Sequence, residues 1–194
     1  MAKDEPHSER EAPEAVGEKP TGRDELSLRR AIAEAFDPLR RFMYLQCGAW
    51  HEAEDVAQEA LLRAWRSRES FDGRADPRTW IFAIARNHWR DRLRRLDSGP
   101  RIQGMSDALK LMEPAPGPAA AAGRGEIGQA VRAAMARLPS EQREALALRE
   151  SQGLTFREIA AVSGVPVPTA KSRVRYALLK LAEELKNFRP EAQS

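Results

Sequence analysis

The scarcity of β-branched side chains is the feature that most limits the folds open to this chain. Val, Ile and Thr together account for only 17 of its 194 residues, whereas Ala and Leu account for 50. β-Branched residues favour strands, and Ala and Leu are among the best helix formers. We therefore predict an all-α protein.

Changes in composition divide the chain into five segments. Residues 1–25 hold eight acidic residues, four basic residues and few apolar ones, which predicts a disordered acidic tail because too little surface is available for burial. Residues 97–125 contain four prolines and five glycines, which predicts a flexible linker. The linker joins two small helical domains, at 26–96 and 126–187, and a short tail follows at 188–194.

The sequence shows no sign of a membrane protein, a metalloprotein or an enzyme. No apolar run reaches the roughly 18 residues that a membrane span requires, and the first residues are charged where a signal peptide is apolar. Cys47 is the single cysteine, and the three histidines lack metal-ligand spacing. Paired carboxylates, a nucleophile elbow and a phosphate-binding loop are also missing. We expect a cytoplasmic protein without membrane insertion, metal, cofactor or catalytic activity.

The basic residues favour a nucleic-acid partner. They comprise 26 arginines and only 6 lysines. The planar arginine side chain suits phosphates and base edges, whereas lysine acts as a point charge. Residues 26–96 carry a net charge of +4 and residues 126–194 carry +3, so both domains are basic.

The C-terminal domain has the start and stop signals of a helix-turn-helix. Ser140 is placed to cap a helix that Gly153 would end. Thr155 and Glu158 form a capping box that opens a second helix. Gly164 can then take a left-handed turn before a longer third helix.

The third helix has an exposed basic face near its start. Its apolar positions recur at helical spacing: Ala170, Val174, Ala177, Leu178, Leu181 and Leu185. The face that they leave exposed comprises Thr169, Lys171, Ser172, Arg173, Arg175 and Tyr176. Because a recognition helix reads bases from its first turns, we expect Arg175 and Ser172 to contact bases. Lys171, Arg173 and Thr169 are placed to hold phosphates. A solvated helix face is the alternative.

The segment EDVAQEALLRAW predicts a helix with a candidate protein interface. Its apolar stripe comprises Val56, Ala57, Ala60, Leu61 and Ala64. The opposite side presents an exposed leucine, Leu62, framed by polar residues: Asp55, Gln58, Glu59 and Arg66. An apolar anchor with an acidic rim suits a basic protein surface. The alternative is a surface helix with one exposed leucine, which is common.

The segment TWIFAIARNHWRDRLRRL predicts a helix that binds single-stranded nucleic acid. Its predicted buried positions are Ile81, Ile84, Ala85, Trp89, Leu93 and Leu96. On the remaining surface, Trp80 can stack on a base and Asn87 can pair with a base edge. The arginines predicted to follow the backbone are Arg78, Arg86, Arg90 and Arg94. The other tryptophans are predicted to lie in the core: Trp50, Trp65 and Trp89.

Three motifs in this order resemble a known family. They are AEDVAQEALLRAW, SFDGRADPRTWIFAIARNHWRDRLRR and LPSEQREALALRESQGLTFREIAAVSGVPVPTAKSRVRYALLKL, the last two separated by the Pro/Gly-rich linker. Over residues 26–96 and 130–187 the chain is similar to the extracytoplasmic-function sigma factors. These are small two-domain subunits that give bacterial RNA polymerase its promoter specificity. The chain departs from many members at Pro168, where they have glycine, and at Tyr176, where they have arginine.

The resemblance implies a role for each predicted surface. The DVAQE helix would dock on the clamp helices of the largest polymerase subunit, which gives a partner to Asp55, Gln58, Glu59 and Leu62. Asn87 would recognise a flipped nontemplate-strand base of the minus-ten element, together with the loop 71–76, which includes Phe71, Asp72 and Gly73. The last helix would read the minus-thirty-five element in duplex DNA through Lys171, Ser172, Arg175 and Tyr176. An anti-sigma factor is a further candidate partner.

These features predict a transcription initiation factor that binds core RNA polymerase, recognises promoter DNA and promotes its opening. The main alternative is a stand-alone helix-turn-helix regulator. Such proteins usually dimerise on palindromic sites, and the sequence has no heptad repeat or extra helix for dimerisation. A recombinase fragment is a weaker alternative because it would need a catalytic constellation.

Overall fold

The computed structural model describes residues 22–97, 125–186 and 188. These residues form eight α-helices, namely α1 (Gly22–Glu34), α2 (Phe36–Cys47), α3 (Trp50–Arg66), α4 (Pro77–Asp97), α5 (Glu126–Ala136), α6 (Ser140–Glu150), α7 (Phe156–Ser163) and α8 (Val167–Leu185). A 3₁₀ turn at Arg68–Ser70 follows α3, and the described residues contain no strand. The prediction of an all-α fold is therefore confirmed.

The predicted tails and linker lie almost entirely outside the described residues. The first helix begins at Gly22, so the last four residues assigned to the acidic tail belong to α1. At the start of the predicted linker, Asp97 is the last residue of α4.

The N-terminal domain, α1 to α4, is built around the close packing of α2 on α3. The buried side of α3 consists of Val56 and four alanines, whose small side chains let α2 approach closely. From α2, Phe42 packs edge-on against Phe82 of α4, with ring centroids 5.4 Å apart. Both rings are fully buried, and burying a phenylalanine contributes about 1.5–3 kcal/mol of stability.

The C-terminal domain, α5 to α8, contains the predicted helix-turn-helix. The hydroxyl of Thr155 accepts a hydrogen bond from the Glu158 backbone N–H, and the Glu158 carboxylate accepts one from the Thr155 N–H at 2.7 Å. Hydrogen bonds from Thr155 also lower the pKa of Glu158, which keeps this carboxylate charged at the helix N-terminus. Gly164 ends α7 with φ of 63°, a conformation that favours glycine. The capping box and the turn are confirmed.

The predicted cap of α6 is shifted by one residue. The capping position is occupied by Pro139, whose extended backbone leads into the helix, and Ser140 is the first helical residue. The Ser140 hydroxyl donates to Glu141 at 3.0 Å and makes no capping hydrogen bond. The helix ends at Glu150, and Gly153 forms the following turn with φ of 68°.

Three side chains predicted to be buried are exposed: Trp65 by 44%, Leu96 by 39% and Leu178 by 49%. Trp65 and Leu178 each follow the last buried residue of their helix, so they project about 100° away from the buried stripe. Leu96 lies in the last turn of α4, where residues 94–96 are all exposed. Trp89 is buried as predicted, and Trp50 is partly buried and stacks on Tyr44.

The two domains pack against each other, an arrangement that the sequence leaves open. Helix α4 contacts α7, and α2 contacts α6. One cluster of buried side chains runs through both domains and includes Phe42 and Phe82 on one side and Leu148 and Ile159 on the other. Helix α4 therefore packs against the C-terminal domain and also carries the residues predicted to bind single-stranded nucleic acid.

The described ranges bear on the sequence expectations for membrane spans, metal sites and the single cysteine. None of the helices described there is long and apolar enough to span a bilayer. The same ranges hold no group of His, Cys, Asp and Glu side chains able to bind a metal ion. Cys47 is buried, its thiol donates to the Met43 carbonyl at 3.1 Å, and burial raises the thiol pKa to about 11. The thiol is therefore protonated and unreactive at neutral pH.

Candidate functional site

The first candidate surface is the α3 face, which we define as Asp55, Gln58, Glu59 and Leu62. Leu62 is 50% exposed, as the sequence predicts. Asp55 and Gln58 are exposed beside it, and the Glu59 carboxylate accepts a hydrogen bond from Arg63 at 2.8 Å. That bond lowers the pKa of Glu59, so this carboxylate is charged at neutral pH. An exposed leucine with a charged acidic rim fits a basic protein surface.

Trp65 extends the α3 face by one turn, and the sequence interpretation missed it. The guanidinium carbons of Arg68 and Arg29 lie 4.7 Å and 5.8 Å from the centroid of its ring. These cation–π contacts hold the ring at the surface and make this end of the face basic. The signal was present in the spacing, because Trp65 lies three residues after Leu62 and seven after Gln58.

The second candidate surface is the α4 basic face, which we define as Arg78, Trp80, Arg86, Asn87, Arg90 and Arg94. Asn87 is exposed and lines an open groove of about 710 Å³ between α4 and the start of α6. The groove is lined by Arg86, Asn87, Arg90, Asp91, Leu93, Arg94 and Ser140. An amide among arginines is suited to pair with a base while the arginines hold the backbone of the nucleic-acid strand.

The arginines of the α4 basic face are less free than the sequence predicts. Arg86 is buried and donates to Glu144 of α6 at 2.9 Å. In this position its guanidinium is not available to a phosphate at the surface. Arg78 donates to Gln152 at 2.9 Å. The two remaining pairs are Arg90 with Glu141, at 3.9 Å, and Arg94 with Asp91. Arg86 was expected to contact the nucleic-acid backbone from an exposed position, and the structure buries it instead.

The loop before α4 is supported by a buried ring. Phe71 is only 2% exposed and packs against half-buried Trp80, with ring centroids 5.3 Å apart. The resemblance implied that Phe71 contacts nucleic acid. In this structure Phe71 is buried and supports the loop instead. Asp72 and Gly73 are exposed, and the Asp72 carboxylate accepts a hydrogen bond from the Arg74 backbone.

The third candidate surface is the α8 reading face, which we define as Thr169, Lys171, Ser172, Arg173, Arg175 and Tyr176. Lys171, Arg175 and Tyr176 are exposed. The half-buried Ser172 hydroxyl donates to the carbonyl of half-buried Thr169 at 2.9 Å. Arg173 is also half-buried and lies near Glu141, whose pKa is lowered first by its own backbone N–H and also by this guanidinium. The exposed members are therefore the ones best placed to reach bases.

An apolar recess adjoins the α8 reading face, and the sequence interpretation missed it because Leu178 was assigned to the core. The recess has a volume of about 340 Å³ and lies between α7 and α8. It is lined by Phe156, Lys171, Val174, Arg175, Leu178 and Leu179. Lys171 and Arg175 thus have an apolar surface on one side and solvent on the other.

Comparison with known families assigns both domains. Residues 32–98 match the family Sigma-70 region 2, and residues 128–181 match the family Sigma-70, region 4. The ECF RNA polymerase sigma factor EcfG of Rhodopseudomonas palustris (strain TIE-1) is 36% identical over 160 residues, which cover 80% of this chain and 83% of the relative. The chain belongs to the extracytoplasmic-function sigma factors.

Other relatives and solved structures are similar to this sigma factor. The ECF RNA polymerase sigma factor SigC of Mycobacterium tuberculosis is 39% identical over 134 residues, covering 68% of this chain and 70% of the relative. The co-crystal structure of the sigma factor RpoE with the anti-sigma factor NepR from Bartonella quintana matches with a TM-score of 0.65 and 29% identity, covering 83% of this chain and 98% of that chain. CnrH, solved in complex with the cytosolic domain of CnrY, shares the fold with a TM-score of 0.58 and 20% identity, over 86% of this chain and 99% of that chain.

The three candidate surfaces of the sigma factor fall within the two matched regions. The α3 face and the α4 basic face lie in region 2, and the α8 reading face lies in region 4. We use these region names for the N-terminal and C-terminal domains from here on. The match to region 2 distinguishes the protein from a stand-alone helix-turn-helix regulator.

Proposed function

We propose that the three surfaces divide the work of promoter recognition and opening. Sigma factors direct RNA polymerase to promoters and act as regulators rather than catalysts, and this chain shares that function in transcription initiation. In our proposal the α3 face docks on core polymerase, the α4 basic face holds the melted minus-ten strand, and the α8 reading face binds the minus-thirty-five duplex. The chain itself would catalyse nothing and would act in the cytoplasm.

The α3 face is the observation that carries the proposal. Leu62 is exposed at the centre of an acidic rim, and an apolar anchor within a polar rim is the arrangement that protein interfaces use. A basic helical surface on the polymerase would cover the leucine and pair with Asp55 and Glu59. Trp65 provides a second apolar anchor at the end of the same face.

The α4 basic face supports a role in DNA opening. Asn87 is exposed in the open groove of about 710 Å³, and arginines lie on either side of it. Base flipping costs a few kcal/mol, so an opened strand must be held by contacts to its bases and backbone. Asn87 can supply a base contact because its only described hydrogen bond is one accepted from Arg86 at 3.3 Å.

Replacing Arg175 with alanine is expected to relax sequence preference at one site within the minus-thirty-five element. Arg175 is exposed near the start of α8, where a recognition helix meets base edges. A good arginine-to-base pair contributes about 1–3 kcal/mol of discrimination against the wrong base. Selection of bound duplexes from a randomised library by the reconstituted holoenzyme, followed by sequencing, measures this preference.

Lys180→Ala is the matched control for this substitution. Lys180 is exposed on the same helix but lies outside the α8 reading face, so sequence preference should stay unchanged. If Arg175→Ala weakens binding equally for all sequences, Arg175 holds a phosphate instead.

An anti-sigma factor completes the proposed set of partners. The related RpoE of Bartonella quintana was solved in complex with the anti-sigma factor NepR, and it shares 29% of its sequence with this chain. We propose that an inhibitor of the same functional class controls this sigma factor. The direct test is to purify this sigma factor, with the α3 face intact, from its native host and to identify an inhibitor that co-purifies with it.

A further inference from the structure

Phe156 lies beside the α8 reading face, although its own helix carries none of the proposed DNA contacts. It is the first residue of α7 and follows Thr155, whose capping box with Glu158 fixes the start of this helix. The ring is half-buried, packs against the core and lines the apolar recess. The position of the ring is therefore set by the helix cap and by the core together.

Two cations lie over the Phe156 ring. The guanidinium carbon of Arg149 is 4.9 Å from the ring centroid, and the ammonium nitrogen of Lys171 is 5.9 Å from it. Both distances are within the range of about 6 Å in which an aromatic face attracts a cation. The ring thus connects α6, α7 and the α8 reading face.

Arg149 is held independently of the ring. Its Nη1 donates to the Leu154 carbonyl at 2.9 Å, in the turn between α6 and α7. This hydrogen bond keeps the guanidinium over Phe156. The ring is therefore a fixed surface, joined to α6 as well as to its own helix.

Lys171 is fixed by the ring contact and by no polar partner. It is exposed, and its ammonium group forms no hydrogen bond or ion pair within the described part of the chain. A lysine side chain rotates about several bonds and loses this freedom when its head group is bound. A contact that restricts the side chain before DNA arrives lowers the cost of ordering it.

An aromatic ring can hold Lys171 without competing with DNA. A carboxylate in the same place would neutralise the ammonium group and would have to be displaced by a phosphate or a base. The ring attracts the cation but carries no net charge. The positive charge of Lys171 therefore stays available on its solvent side.

We propose that Phe156 is a positioning residue for sequence recognition, which holds the Lys171 ammonium group in place for the minus-thirty-five duplex. Lys171 makes the contact to DNA, and Phe156 acts only through it. The inference rests on the proposed role of the α8 reading face. It adds that a neighbouring helix arranges one cation of that face in advance.

The test replaces Phe156 with a series of phenylalanines that carry one, two or three ring fluorines. Each fluorine withdraws charge from the ring face and weakens its attraction for a cation, while the ring keeps its shape. The reconstituted holoenzyme is titrated with the duplex that the wild type selects from a randomised library. Binding is expected to weaken with each fluorine, to about two- to fivefold for the last, which equals an exposed cation–π contact of about 0.5–1 kcal/mol.

Lys171→Ala is the background that separates positioning from packing. If Phe156 acts through Lys171, fluorination of the ring has no effect on binding once Lys171 is absent. Any effect that passes through Arg149 persists in this background, because its contact with the ring is still present. An equal loss in both backgrounds, or no loss in either, would overturn the inference.

Fluorination of Phe36 is the matched control. The guanidinium carbon of Arg40 lies 5.6 Å from the centroid of this ring, so it has the same kind of contact in region 2, outside the three candidate surfaces. Binding to the selected duplex should stay unchanged. Should the fluorinated Phe156 chains fail to fold by circular dichroism, Phe156→Leu replaces them in both backgrounds, because it removes the ring but keeps an apolar side chain.

Failure of this inference can be distinguished from failure of the proposed function. Loss of binding in Lys171→Ala without any effect of fluorination would reject only the positioning role of Phe156. Unchanged binding by Lys171→Ala would remove Lys171 from the proposed DNA contacts, and the inference would fall with it.

Discussion

Replacing both Asp55 and Glu59 with arginine is expected to weaken binding to core RNA polymerase at least about 100-fold, because like charges placed across an interface cost several kcal/mol. Asp55 is exposed and forms no ion pair within the described part of the chain, and the ion pair of Glu59 is with Arg63 of the same helix. The fold should therefore tolerate the change, since surface ion pairs of this kind contribute little to stability.

Titration of labelled protein with core polymerase measures the loss, and circular dichroism checks the fold. Glu34→Arg with Glu69→Arg is the matched control, because it makes the same change in charge at two exposed positions of region 2 outside the α3 face. We expect the control to bind like the wild type. Equal binding by the Asp55 and Glu59 variant would remove the α3 face from the polymerase interface.

Replacing Asn87 with alanine is expected to reduce promoter opening about 5- to 150-fold, the equivalent of one lost base contact of about 1–3 kcal/mol. Closed-complex binding should change little, because duplex DNA does not present a flipped base to Asn87. The substitution removes an exposed amide that accepts one hydrogen bond, at 3.3 Å from Arg86, so the core of region 2 stays intact.

Permanganate reactivity of melted thymines measures opening, and a mobility shift under closed-complex conditions measures binding. Arg95→Ala is a suitable control, since Arg95 is exposed on the same helix but lies outside the α4 basic face. It should leave the ratio of opening to binding unchanged. An equal loss of both in Asn87→Ala would contradict a base-reading role.

Local signals predicted the helix-turn-helix well. A capping box and a left-handed glycine depend on residues within a few positions of each other, so Thr155, Glu158 and Gly164 identify their own conformations. Leu62 was also predicted to be exposed, because a single helix with a clear apolar stripe fixes which side faces water.

Contacts between distant segments could not be predicted in the same way. Arg86 reads as a phosphate contact because its helix is basic, but its partner Glu144 lies 58 residues away on another domain. Phe82 is fully buried although the predicted stripe of α4 omits it, because α4 is covered from more than one side by its neighbours. Trp65 shows the opposite error, because it was predicted to lie in the core and arginines hold its ring at the surface.

The most direct test of the central claim is reconstituted transcription from total genomic DNA of the native host. Core polymerase is incubated with the purified chain, and the 5′ ends of the transcripts are mapped by sequencing. We expect a discrete set of start sites that share upstream minus-ten and minus-thirty-five elements and are missing with core polymerase alone or with the Asp55 and Glu59 variant. Start sites that do not differ from those of core polymerase alone would contradict promoter selection by this protein.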